Sequence, residues 1–146
     1  MKDTYQRVYA RIWDEPWQED TRTLALYLLT CRHRRTEGLY KLTLETAAGD
    51  LRWPLAKVRR NFRLLLSDGM VKYDENARVV WIVNALDGAR PNGHQATHAV
   101  KALRLLPATP LLAEFAAASE SSAPRIHEAL QSDFPEAFAN PLTEAA

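Results

Sequence analysis

The chain has 146 residues, 47% of them apolar and 25% charged, proportions of a globular protein large enough for one real core and too short for a large multidomain enzyme. Its single cysteine, Cys31, excludes an intramolecular disulfide and with it the disulfide-framework class. The formal net charge of +1 conceals an asymmetry: residues 1–106 carry 18 basic and 12 acidic residues, whereas residues 107–146 carry one basic and six acidic, so the total excludes neither nucleic acid nor an acidic docking surface.

The first residues, MKDTYQRVYAR, lack an apolar core, so no signal peptide is expected. No apolar run approaches the roughly 20 residues of a membrane span, and a cytoplasmic location with no membrane contact follows as the expectation. Tyr5, Val8, Tyr9, Ile12 and Trp13 suit a short strand or an irregular arm that Asp14-Glu15-Pro16 breaks. Glu19-Asp20-Thr21 place capping chemistry and acids ahead of a helix whose stripe is Leu24, Tyr27, Leu28 and Cys31. Cys31 on that stripe reads as an inert core thiol. Arg32-His33-Arg34-Arg35 then form either a solvated loop that complements the helix dipole or a phosphate clamp through Arg34 and Arg35. Glu37-Gly38 turn the chain, and Leu39–Leu42 have strand character.

Thr43 can cap a helix that buries Leu44, Ala47, Ala48 and Leu51. Arg52-Trp53-Pro54 make a tight turn, with Pro54 suited to the first position of the next helix. That helix runs to about Ser67, with Leu55, Val58, Phe62, Leu65 and Leu66 on its apolar face, and Gly69 able to take the left-handed cap. Between Arg52 and Arg63 there are five basic residues and no acidic one. A helix buried on one side and cationic on the other, presented by a helix-turn-helix, is suited to lie against DNA. By helical angle Lys57, Arg60 and Leu64 oppose the apolar face, with Asn61 and Arg63 beside them. Arg60 and Asn61 have the chemistry to read guanine and adenine, while Arg52, Lys57 and Arg63 suit phosphates. Arg59 either clamps a phosphate or makes a structural ion pair. Trp53 either stacks on the sugar-phosphate backbone or plugs the junction of the two helices.

Met70–Tyr73 and Arg78–Val83 read as a hairpin with an acidic turn at Asp74-Glu75-Asn76-Ala77, where Asn76 suits positive φ. Residues 84–93 are a connector. His94 to Leu106 turn helical and stop at Pro107; Thr109-Pro110 open another helix, LLAEFAAASES; Arg125 to Gln131 form a last one before a fraying end. His94 and His98 share a helical face, but their spacing with Cys31 and His33 matches no metal motif. No nucleotide-binding or nucleophile motif is present; no enzyme, metal or cofactor is expected. The fold class is α+β: a three-helix core with a small antiparallel sheet over residues 1–90, and a helical extension over 91–146.

The pattern Ala48, Leu51, Val58, Arg59-Arg60, Phe62, Leu65, Asp68-Gly69-Met70-Val71 resembles the winged helix-turn-helix of bacterial regulators, in register over about 24 residues. Arg52 stands where that family has a turn glycine, and Pro54 where it has a capping Ser or Thr. A wider span resembles the N-terminal domain of DnaD-like phage and prophage replication initiators: RIWDEPWQED, the LALYLL helix, EGLY, and the wing VKYDENARVVWIVNAL. The resemblance implies a double-stranded DNA-binding protein of phage or prophage origin, acting in replication or transcriptional regulation. The competing expectation is a protein-interaction module, whose acidic C-terminal helices or Leu64 face dock a host or replisome protein. A homodimer would use the same C-terminal helices.

Overall fold

The computed structural model describes residues 6, 8–35, 37–86 and 91–138. The expectations for Tyr5, for residues 87–90 of the connector and for the tail from 139 lie outside them. A single 3-10 turn, Ala10–Trp13, stands where a strand or arm was expected. The described chain then runs α1 (Glu19–Thr30), β1 (Leu39–Lys41), α2 (Leu44–Leu51), α3 (Leu55–Asp68), β2 (Val71–Asp74), β3 (Val79–Ile82), α4 (Gly93–Leu103), α5 (Leu111–Ser122) and α6 (Pro124–Asp133). The fold is α+β, with a three-stranded antiparallel sheet in the order β1-β3-β2.

β3 is central, and all four of its residues are buried. Side chains alternate across a strand, so Val80 and Ile82 face one side while Val79 and Trp81 face the other. Pairing of Leu39 with Trp81 and of Tyr40 with Val80 carries the same alternation into β1. On the first side, Tyr40, Val71, Val80 and Ile82 meet Leu24 and Leu28 of α1, Ala47 of α2, and Val58, Phe62 and Leu65 of α3. On the second side, Leu39, Val79 and Trp81 meet Val100, Phe115, Ile126 and Leu130 from α4, α5 and α6. Trp81 and Phe115 pack edge to face at 6.2 Å, a favourable aromatic geometry. The sheet is therefore the middle of three layers and belongs to both cores.

Local chemistry accounts for most boundaries. Thr43 Oγ1 accepts from the Thr46 N–H at 3.0 Å, as the capping expectation required. Gly69 closes α3 at φ 84°. Gly38, at φ 82°, has no room for a side chain: a Cβ would fall 2.3 Å from that of Ala85. Asn92 and Gln95 form a reciprocal capping box at the start of α4. Pro54 and Pro110 are N-caps, each one residue ahead of the helical position expected for it. In the β2–β3 turn the positive φ falls on Arg78, at 57°, and not on Asn76. The Asp74 carboxylate accepts from the Asn76 and Ala77 N–H groups, which sets the first bend and leaves Arg78 to finish the reversal.

Candidate nucleic-acid interface

The candidate surface is built on α2, the turn Arg52–Pro54 and α3. The turn forms without glycine. Arg52 adopts φ 57°, ψ 43°, and the Trp53 N–H reaches back to Ala48 O at 3.0 Å, a hydrogen bond that closes a left-handed helix end. The expected turn position is thus occupied by arginine in the conformation glycine prefers. Trp53 is half-buried against the first core, with Lys57 Nζ 4.2 Å from its ring centre. It plugs the helix junction, and the lysine packs over it.

α3 holds to the core through Val58, Phe62 and Leu65. It presents Arg59, Arg60, Arg63 and Leu64 outward. Some of these charges are engaged. Lys57 pairs with Asp20 at 3.5 Å. Arg59 reaches Glu45 at 3.9 Å, and Arg78 reaches the same carboxylate; the structure thus favours the ion-pair reading of Arg59. Such exposed pairs contribute little to stability and exchange readily with solvent. Arg52, Arg60 and Arg63 are exposed and have no ion pair or side-chain hydrogen bond among the described residues. Arg60 and Arg63 lie one turn apart on a single face.

Two expected contacts are overturned. Asn61 is only 4% exposed. Its Oδ1 accepts from Thr21 Oγ1 at 2.8 Å, and its Nδ2 donates to Lys57 O at 2.9 Å. It lies three residues from Val58 and four from Leu65, on the stripe that meets α1, so it ties two helices together and cannot read a base. Arg34 is also buried, at 6%, and its Nη1 donates to Leu29 O at 2.7 Å; it satisfies the end of α1. Its two predecessors are engaged as well: Arg32 and His33 meet Asp50 at 3.0 and 3.1 Å. Tyr27 Oη donates to the same carboxylate at 2.6 Å. Tyr27, followed by the paired His33 and Arg32, holds the Asp50 carboxyl below the usual carboxylate range. Of the two loop arginines expected at a phosphate, Arg35 is exposed and Arg34 is not, while Arg32 is exposed but paired with Asp50.

The turn of the β2–β3 hairpin faces the C-terminal layer. Asp74 accepts from Thr109 Oγ1 at 2.7 Å, and Lys72 pairs with Glu114 at 2.7 Å. The hydrogen bond from Thr109, with those from the turn N–H groups, lowers the Asp74 pKa. Cys31 is buried with its Sγ 3.8 Å from Tyr40 Oη, while His94 and His98 lie exposed on α4. Among the described residues no three His, Cys, Asp or Glu side chains gather as metal ligands would, and no helix is long and apolar enough to cross a membrane.

Contacts of Asp50 and Asp20 with the basic segments had no local signal in the sequence, since their partners lie 17 or more residues away. No protein-family model, curated protein or solved structure matches this chain.

Proposed function

We propose that the domain expected over residues 1–90 is a winged helix-turn-helix that binds double-stranded DNA through the outer face of α3. The element order helix, strand, helix, helix, hairpin supports this reading, as does the tight turn between α2 and α3. The observation that carries it is the exposed set, unengaged among the described residues, of Arg52 in the turn and Arg60 and Arg63 on a helix otherwise anchored to the core. Arg60 is the base reader, able to offer guanine a bidentate fork. Arg52 and Arg63 hold phosphates on either side, and Lys57 joins them by exchanging Asp20 for the backbone. Arg35 is a peripheral phosphate contact. Trp53 fixes the angle of entry from beneath.

The hairpin would stay off the phosphates, because Asp74 at its turn is tied to Thr109, just ahead of α5, and Lys72 to Glu114 of α5. The acid-rich C-terminal helices lie across the sheet from α3, which keeps like charge away from the bound backbone. A role in phage or prophage replication or regulation rests on the sequence resemblance alone. No catalytic activity is proposed.

The test is fluorescence anisotropy with labelled random-sequence duplex across a salt series. Affinity is expected to fall steeply with salt. The R60A/R63A variant should bind at least ten-fold more weakly and, having lost the phosphate contact of Arg63, reduce the log–log slope by about 1, with an unchanged circular-dichroism spectrum. A folded, monodisperse wild-type sample that shows no binding at low salt overturns the proposal. A second reading, a protein-docking winged helix, is favoured by apolar side chains outside both cores: Leu64 is 50% exposed and Leu105 81%. In that case R60A/R63A would leave partner binding unchanged, and Leu64→Ser would weaken it.

A further inference from the structure

The outer face of α3 is not uniformly cationic. Ala56, Arg60 and Leu64 are spaced by four and so form one row along the helix. All three are exposed. The row lies opposite Val58, Phe62 and Leu65, which hold α3 to the core. Lys57 borders it on one side and Arg63 on the other, by helical angle. The only acid of α3, Asp68, is its last residue.

Two apolar side chains, one on each side of an arginine, therefore occupy the middle of a cationic strip. Leu64 is 50% exposed there. One leucine and one alanine offer little apolar area for a protein partner, and the centre of a protein interface is depleted of charge, whereas this row is bordered by cations. Charge complementarity favours instead a polyanion that carries apolar groups between its lines of phosphate. The DNA major groove is built that way. Phosphates run along its edges, and thymine presents a C5-methyl group on its floor.

We propose that Ala56 and Leu64 each meet a thymine methyl group, on either side of a guanine held by Arg60. This rests on the DNA-binding reading above and names the sequence feature that α3 selects. A helix rises about 1.5 Å per residue, so four residues cover about 6 Å, a little under two base-pair steps of about 3.4 Å. The preferred site is thus a guanine with a thymine methyl within about two base pairs on each side. Burying one methyl against an apolar side chain changes affinity by about four-fold.

The experiment uses the full chain to select duplexes from a random-sequence pool at low salt. The enriched duplex is then resynthesised with uracil in place of one thymine at a time, which keeps the base pair and removes only the methyl. Fluorescence anisotropy should show a loss of about four-fold at one thymine on each side of an enriched guanine, and none at other thymines. Leu64→Ala should abolish the thymine–uracil difference on one side and keep it on the other. Each comparison is made within one variant, so a change in its folded fraction cancels. A wild-type chain that does not bind the starting pool overturns the DNA-binding reading and this inference with it. A chain that binds the pool but enriches no sequence, or that binds thymine and uracil duplexes alike, overturns this inference alone. So does a Leu64→Ala chain that keeps both differences.

Discussion

Glu37 is 3% exposed, and its Oε1 has no hydrogen-bond partner. It sits where β3 meets α5, beside Trp81, Phe115, Ser119 and Ser122. Desolvation pushes its pKa up to about 7 from the usual 4.5, although its own backbone N–H, Arg35 and Arg34 pull the other way. The folded state therefore holds a proton that the unfolded state has already released. The stability this proton confers is complete below pH 4.5 and is lost as pH rises to about 7, a difference of about 3 kcal/mol. Urea unfolding across that range should show stability falling with pH. Glu37→Gln should flatten the profile and leave the protein more stable than wild type at about pH 8. A wild-type stability independent of pH in that interval would show that the carboxyl is solvated. In the sequence Glu37-Gly38 reads only as a turn, because nothing within a few residues discloses that α5 will close over it. Asn61 is the same case: its spacing from Val58 and Leu65 is compatible with the buried stripe, but only the arrival of Thr21 from α1 decides that an amide belongs there.

At the level of elements, the α2–α3 turn was legible because its controls are local. Thr43, Pro54 and Gly69 act on backbone groups within four residues of themselves. The one irregularity is Arg52 in the left-handed region, where a side chain costs ~1 kcal/mol or more relative to glycine. Arg52→Gly is expected to raise stability by about 0.5–1 kcal/mol, measured as a higher urea midpoint at unchanged slope. If α3 binds DNA, the same variant should bind it more weakly, having lost a phosphate contact. A less stable Arg52→Gly would mean that the side chain makes contacts that outweigh the backbone strain. The β2–β3 turn was half legible. Its polar composition marks a reversal, but Asp74 bonds two successive N–H groups and so moves the positive φ from Asn76 to Arg78.

For the molecule as a whole, the decisive feature is that the sheet has two covered faces. Leu39 and Val79 are 0% exposed, Trp81 4% and Leu86 5%, all against the C-terminal helices. Uncovering four such side chains would forfeit about 6–12 kcal/mol, comparable with the whole stability of a small domain. A chain cut to residues 1–90 is accordingly expected to lose cooperative unfolding and to bind a hydrophobic dye such as ANS. A truncated chain with a sharp transition and no dye binding would show instead that the first core stands alone. The second layer also gives the charge asymmetry a spatial meaning. Lys72–Glu114 and Arg104–Asp133 tie the acid-rich segment to the sheet and to the end of α4, on the side away from Arg60 and Arg63.

From Glu19 onward the sequence by itself determined the order and type of the helices and strands, the cap at Thr43, the turn at Arg52, the end at Gly69 and the cationic character of α3. Each depends on periodicity or on backbone chemistry within a turn or two, and such signals are written in neighbouring residues. The tertiary structure alone decided which polar residues went inside, which cations were already engaged, and that the C-terminal helices complete the sheet instead of trailing from it. Those outcomes depend on pairs such as Thr21 with Asn61 and Lys72 with Glu114, 40 and 42 residues apart. A side chain's burial is set by whatever packs across from it, and that partner is chosen by the closure of the whole chain.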